Sequence, residues 1–395
     1  MSAPDVTALL AELERSEPDL AEEARTAVEW LTGGDPLETV TQLDVCEFLW
    51  YTLPLKVGGD HERLARSLGR LLHLGGLRRY AALCVSPTTQ QILQTYAREG
   101  EDAGTAAYQE ALEATGVLPP DVPELQWSTI MGPEELGAHV ACSAALELAI
   151  LAGDDDLDRV ALTRRWLTEP RGDLGGDSWL NRVHGERLNR WVLGRGPARR
   201  ELAQPFEVRL HAPVPAQQIP PLHGLLSLAA SEESLPLRLA PSPEALRLRD
   251  LAERELSALR RDGARLSITA VGRRLLLSPD AMWEAVTRLL LPKGEQEFEL
   301  AAREAALMLL ADGSLISPAE LRRRVAEVVG DEGWHPATEP GDVAKPVDDL
   351  VGRLTALGLA FGDELAVRMS RVGHFAALAA LRAHALRPRQ YVSAG

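Results

Sequence analysis

Apolar residues return every three or four positions through the first thirty or so residues (Val6, Leu9, Leu10, Leu13, then Leu20, Ala24, Ala27, Val28, Leu31), with acidic residues between them. That spacing predicts two short helices broken near Pro18. The stretches "LDVCEFLWYTLPL" and "DHERLARSLGRLLHLGG" follow the same period, and Pro54 and the Gly75-Gly76 pair end them. "YAALCVS" is expected to be a strand. "PTTQQILQTYA" is expected to be a helix capped by Ser86 with Pro87 in its first turn.

Three places share one pattern of short apolar strand, hydroxyl residue, small residue and helix. Leu83-Cys84-Val85-Ser86 leads to Thr89, Leu266-Ser267-Ile268-Thr269 to Gly272, and Val367-Arg368-Met369-Ser370 to Gly373. An amphipathic helix is expected before each, ending in "LGRLLHLGG", "LSALRRDG" and "VGRLTALGLAFGD". The hydroxyl side chain can cap the helix that follows. Ser86 and Thr269 are 183 residues apart and Thr269 and Ser370 are 101 apart, so no solenoid period is present.

The third copy is the most complete. "EFELAAREAALMLLADG", "SPAELRRRVAEVVG" with Ser317 as cap, and "KPVDDLVGRLTALGLA" predict three helices. "LAFGDELAVRM" predicts a hairpin turning at Gly362-Asp363. The second copy has helices in "PLHGLLSLAASE" and "SPEALRLRDLAERELSALRRDG" and a hairpin turning at Asp262-Gly263. Between those helices "SLPLRLAP" is short and flanked by proline, so this copy is degenerate.

The stretch "LSALRRDGARLSITAVGRRLLLSPDAMWEAV" resembles the wing and closing helix of winged helix-turn-helix modules in uncharacterised proteins from GC-rich bacteria. It is more distantly similar to winged-helix transcription regulators. The residue-specific part is Thr269, Gly272, Pro279 and Trp283, and about two thirds of the chain shares the resemblance as a fold. It implies a mainly α fold with small β-hairpin wings: two to three tandem winged-helix modules joined by helical segments. The corresponding layout is acidic N-terminal helices over 1–35, a first winged-helix-like module over 36–115 and a helical middle region over 116–212. A second module covers 213–298 and a third 299–395. The Pro-rich "APVPAQQIPPLHG" is expected to hold an interdomain boundary near residue 213.

Charge changes the picture of what such modules would bind. The 395-residue chain carries a formal charge of -16, and residues 1–45 hold eleven acids against Arg15 and Arg25. A generally sticky surface for nucleic acid or anionic membrane is excluded, since phosphate attraction needs Lys and Arg on one face. The acidic helices form a solvated face, or one that docks a basic protein partner. Only Lys56, Lys293 and Lys345 are lysines, so arginine dominates the cations, as a GC-rich genome would produce. Cys46, Cys84 and Cys142 are scattered and odd in number, which fits neither a disulfide framework nor a zinc site. The start lacks a basic segment followed by an apolar one, and no run approaches the roughly 20 apolar residues of a membrane span. A cytoplasmic protein with no membrane attachment is expected.

Local catalytic signatures are absent: no phosphate-binding glycine loop, nucleophile elbow or zinc-protease motif occurs. Asp154, Asp155, Asp156 and Asp158 suggest a calcium loop, but Arg159 and Arg165 stand where Gly and a bidentate Glu are needed. Acids at a helix start explain that run. Asp177, His184 and Glu186 with Arg182, Arg187 and Arg190 could line a pocket, yet Trp179, Val183, Leu188 and Trp191 make the segment a packed helix with a basic outer side. The tryptophans sit mostly in apolar helical contexts and are assigned to the core rather than to base stacking. No cofactor and no metal is expected.

The DNA-binding candidates are Arg247, Arg249, Arg254, Arg260 and Arg261 on the presumed recognition helix of the second copy, with Arg273 and Arg274 after its wing. Arginines there reach phosphates or guanine edges when the helix enters the major groove of double-stranded DNA. Asp250, Glu253 and Glu255 on the same helix oppose this, and Asp348 and Asp349 would face phosphate in the third copy. The first copy offers Arg63, Arg66, Arg70, Arg78 and Arg79. The leading expectation is a DNA-associated regulatory protein using one or two modules. The alternative is an acidic protein-interaction scaffold of tandem winged helices, without DNA binding or catalysis. An enzyme with a dispersed pocket in residues 126–200 is the third reading.

Overall fold

The computed structural model describes residues 5–153, 157–231, 235–236, 242–262, 265–294, 296–330, 342–362 and 365–390. The described residues are mainly helical, with two small antiparallel sheets. The chain divides into two compact units, Met1–Val183 with Arg389–Gly395, and His184–Pro388. The Pro-rich stretch expected to hold a boundary near residue 213 therefore lies inside the second unit. No helix among the described residues is long and apolar enough to cross a membrane.

The first unit contains α1 (Val6–Ser16), α2 (Pro18–Thr32), α3 (Gln42–Glu47), α4 (Leu53–Lys56), α5 (His61–Leu74) and α6 (Arg78–Cys84). It continues with α7 (Pro87–Glu99), α8 (Glu101–Ala114), α9 (Pro133–Leu151), α10 (Arg159–Thr168) and the start of α11 (Trp179–Leu193). The apolar spacing of α1 and α2 buries Leu9, Leu10, Leu13, Ala24, Ala27 and Val28. Thr41 and Asp44 cap α3 reciprocally. Asp158 accepts from the Ala161 amide to cap α10; Asp154, Asp155 and Asp156 lie outside the described residues. Trp50 is buried, its indole N–H donating to Thr89 Oγ1 at 2.8 Å, whereas Trp30 is 49% exposed, against the expectation of a core role. Trp334 lies outside the described residues. All three cysteines are free and buried, and burial pushes each thiol up to about 12, leaving no thiolate for chemistry.

The strand expected at Leu83–Ser86 is absent. Those residues end α6, whose Ala81 and Cys84 sit so close to Gly69 of α5 that a Cβ there would lie 3.0 Å from Cys84 Cβ. The short apolar run buries a helical face rather than one side of a pleat, an ambiguity that periodicity alone leaves open. The capping signal does hold: Ser86 Oγ accepts from the Thr89 amide at 3.1 Å. Residues 36–115 contain no strand, so no wing exists in the first copy.

The second unit holds the rest of α11, then α12 (Pro197–His211), and two blocks that each end in a hairpin and a capped helix. The first block comprises α13 (Pro220–Ser231), β1 (Leu235–Pro236), α14 (Pro243–Asp250), β2 (Leu259–Asp262), β3 (Arg265–Ile268), α15 (Ala270–Leu277) and α16 (Pro279–Leu290). The second comprises α17 (Glu297–Ala311), α18 (Pro318–Gly330), α19 (Ala344–Ala356), β4 (Ala360–Gly362), β5 (Val367–Met369) and α20 (Arg371–Ala385). The first sheet has the order β1-β3-β2. In the second, β4 pairs with β5 and Ile316 bridges Val367 on the other side of β5, so the order is the same.

The helix expected through Leu256–Gly263 stops early. A wider turn over Leu251–Glu255 continues α14, Ser257 takes a positive φ of 51°, and Leu259–Asp262 becomes β2. β1 occupies the start of the "SLPLRLAP" stretch, the rest of which lies outside the described residues. Gly263 and Asp363, the second residues of the two expected turns, also lie outside them. The flanking pairs Asp262↔Arg265 and Gly362↔Val367 close both hairpins.

The two blocks share one joint. Thr269 Oγ1 accepts from the Gly272 amide and Ser370 Oγ from the Gly373 amide, at 3.1 and 2.9 Å. The Thr269 amide donates to the Ala258 carbonyl and the Ser370 amide to the Leu359 carbonyl, at 3.0 and 2.8 Å. A Cβ on Gly272 or Gly373 would fall on that same carbonyl oxygen, so only glycine permits the helix to start against the strand. Every one of these residues in the second block lies 101 positions after its equivalent in the first.

Candidate nucleic-acid interface

The seven arginine candidates divide into two groups. Arg247 projects from α14 to Asp349 of α19, binding its carboxylate and donating to its carbonyl at 3.1 Å. Arg249 has a largely buried side chain, and Asp250 lies 3.9 Å away. Arg261 pairs with Glu253 at 3.1 Å. Arg254, Arg260, Arg273 and Arg274 are exposed, and none has an acidic partner within 4 Å among the described residues. On β2, Arg260 lies opposite Ser267 on the face that points away from buried Leu259 and Leu266.

Asp349 does not face outward, as its place on a presumed recognition helix predicted. Beside Arg247 it binds Arg303 of α17 at 2.7 Å and Arg353 of its own helix at 2.7 Å. Arg353 continues to Glu255 at 2.6 Å and donates to the Leu289 carbonyl at 3.0 Å. Burial opposes ionisation of Asp349, but hydrogen bonds and charge from Arg303 and Arg353 outweigh it and hold the carboxyl below its usual range. The cluster therefore joins α14, α17 and α19. Lys345 and Asp348 are the only exposed residues of α19, and Asp348 is itself paired with Arg322 at 2.7 Å. Sequence reasoning missed Arg303 and Arg353 because each sits within an apolar helical pattern that carries no motif.

A second buried centre lies on α17. Glu304 is almost wholly enclosed, accepts from the Trp191 indole at 2.6 Å, and pairs with Arg195 and, at 2.9 Å, with Arg199. Burial would raise its carboxyl, but Arg195, His384 and Arg199 overcome that and hold it at about 2. His384 lies 3.5 Å from Glu304. Burial depresses its ring to about 4, Glu304 opposes this, and Arg387, Arg195 and Arg199 add to the depression. His384 is thus neutral near pH 7, and the centre is an ion cluster tying α11, α12 and α20 to α17.

In the first unit, Glu147 does the same work. It accepts from the Gln42 amide and the Tyr80 hydroxyl, each at 2.7 Å, and pairs with Arg79 at 3.1 Å. Arg63 pairs with Glu23 at 2.9 Å and Arg70 with Glu17, so acids of the N-terminal helices neutralise basic residues of α5 within the chain itself. Arg66 and Arg78 are exposed. Of the residues considered for a pocket within 126–200, Asp177 and Arg182 belong to the first unit and His184, Glu186, Arg187 and Arg190 to the second. Arg187 is buried and donates to the Leu386 carbonyl at 2.6 Å. A shallow groove runs around Trp166, whose ring is covered by Arg171 at 4.0 Å. No group of three His, Cys, Asp or Glu able to hold a metal ion occurs among the described residues.

Comparison of the chain with protein-family models, with curated proteins and with solved structures gave no match.

Proposed function

We propose that the protein is an interaction scaffold built on two winged-helix blocks, α13–α16 and α17–α20, whose recognition-helix positions are used to hold the blocks together. The element order, the sheet order and the shared Thr269/Ser370 joint support the winged-helix reading of both blocks. The observation that carries the scaffold reading is the mutual packing of α14 and α19 through Arg247 and Asp349. In a DNA-reading winged helix, the helix before the hairpin lies in the major groove. Here α19 exposes only Lys345 and Asp348, and Asp348 is already paired with Arg322, so the helix presents little to a groove.

DNA-associated regulation is the rival reading, favoured by one observation. Arg254, Arg260, Arg273 and Arg274 are exposed and have no acidic partner within 4 Å among the described residues, and they could grip phosphates from the end of α14, β2 and α15 of the first block. A mixed pool of double-stranded DNA, titrated with the full chain between about 50 and 200 mM salt, separates the two. The scaffold reading expects no salt-dependent complex at either end. Binding that falls about 10³- to 10⁵-fold across that range, and is lost in Arg254→Glu or Arg273→Glu, would replace it with regulation.

A further inference from the structure

The two hairpins share a register and differ at their open edges. In each sheet the last strand, β2 or β4, has no strand on its outer side among the described residues. Proteins guard such edges with charge, because bare N–H and C=O groups recruit another strand. β2 is guarded: Arg260, Arg261 and Asp262 occupy it. At the positions equivalent to Arg260 and Arg261, β4 carries Phe361 and Gly362, and Phe361 is 65% exposed; the equivalent of Asp262 is Asp363, which lies outside the described residues.

The outward face of the second sheet completes the picture. Val367 and Ile316 point inward and are buried, so strand alternation puts Leu315, Arg368 and Phe361 on the opposite face. Leu315 is 69% exposed. Arg368 and, at the start of α20, Arg371 are exposed and have no acidic partner within 4 Å among the described residues. Phe361 on β4 thus has Arg368 opposite it on β5, whereas Leu315 lies on the far side of β5 from this edge.

We propose that β4 is a docking edge for an extended acidic segment of a partner protein, which adds as a strand and alternates apolar and carboxylate side chains. Main-chain pairing to β4 supplies attachment, Phe361 packs the apolar positions, and Arg368 and Arg371 select the carboxylates. The inference rests on the scaffold reading and names the partner's chemistry.

The test uses the full chain and a fluorescein-labelled ten-residue peptide of alternating Glu and Val, with a peptide of five Glu followed by five Val as control, read by fluorescence anisotropy. The alternating peptide is expected to bind in preference to the block peptide. Phe361→Glu and Arg368→Glu should each weaken it about tenfold, Arg368→Lys should restore most of the loss, and Arg260→Glu should leave it unchanged. Thermal melts of the variants show that they remain folded. Equal binding by Phe361→Glu, or no binding of the alternating peptide at millimolar concentration, overturns the proposal. A concentration-dependent dimer dissolved by Phe361→Glu overturns it in favour of a second copy. None of these outcomes depends on DNA, so the duplex titration judges the scaffold reading separately.

Discussion

Leu259–Ile268 and Ala360–Met369 pair in one register, residue for residue, at a spacing of 101 positions. Their inward residues are alike in kind: Leu259 and Ala360, Leu266 and Val367 are all buried. Their outward residues are not, since Arg260 faces solvent in one and Phe361 in the other. The difference teaches which residues a fold constrains. The joint of cap, glycine and carbonyl is dictated by backbone geometry and recurs, whereas the edge is free to take up a role. The blocks also differ upstream. α18 stands between Ile316 and α19, while among the described residues no helix separates β1 from α14.

The strongest way to break the pairing of the blocks is to remove the carboxylate on which it centres. Asp349→Ala removes the carboxylate that Arg303 and Arg353 share, leaving Arg353 with Glu255, and should destabilise the second unit by about 3 kcal/mol, at the low end for buried pairs because Asp349 retains some contact with water. Urea unfolding would show it. A loss well below 1 kcal/mol would mean that α14 and α19 are held by apolar packing alone.

The shared joint is probed next. Gly272→Ala and Gly373→Ala each drive a methyl onto a backbone carbonyl and should cost about 1–3 kcal/mol, although alanine favours a helix. Gly185→Ala and Gly224→Ala, whose surroundings are open, should instead stabilise by about 0.4–1 kcal/mol. If all four variants behaved alike in thermal melts, the close approach would not be what selects glycine. Thr269→Ala and Ser370→Ala should cost about 1 kcal/mol each, and by similar amounts, since both hydroxyls cap a helix and also reach a carbonyl before the strand.

That joint was legible in the sequence because it is local: a hydroxyl residue three positions before glycine states both the cap and the tight approach. The hairpin pairs in both blocks were legible for the same reason. Leu83–Ser86 carried an identical cap but no such glycine, and its apolar run follows no alternation, so the helix it ends could be told from a strand only by its packing on Gly69. The ion clusters were not legible at all. Asp349 and Arg247 are 102 residues apart, Glu304 and Arg195 109 apart, and nothing in either neighbourhood distinguishes a buried charge from a solvated one. Nor did the sequence show that two of the N-terminal acids, Glu23 and Glu17, pair with Arg63 and Arg70 of α5.

The smallest predicted effect separates the blocks by pH. The residue 101 positions before His384 is Trp283; Trp283 is buried and His384 largely so, but only the histidine titrates. Its folded pKa is depressed to about 4 from an ordinary 6.5, chiefly by burial, with Glu304 opposing and Arg387, Arg195 and Arg199 assisting. Between those values the unfolded chain binds a proton that the folded chain refuses, so stability present above pH 6.5 is lost progressively as pH falls towards 4. Glu304 contributes its own loss only at lower pH, between the ordinary carboxylate value and about 2. Between pH 7 and pH 6 the His384 contribution is less than about 1 kcal/mol. It should vanish in His384→Gln, while any slope arising from His139 of the first unit, also depressed to about 4 by burial, persists. Urea midpoints for the native chain and His384→Gln at the two pH values decide the matter. Parallel shifts in both proteins would assign the slope to other groups and leave the α20 cluster indifferent to pH in this range.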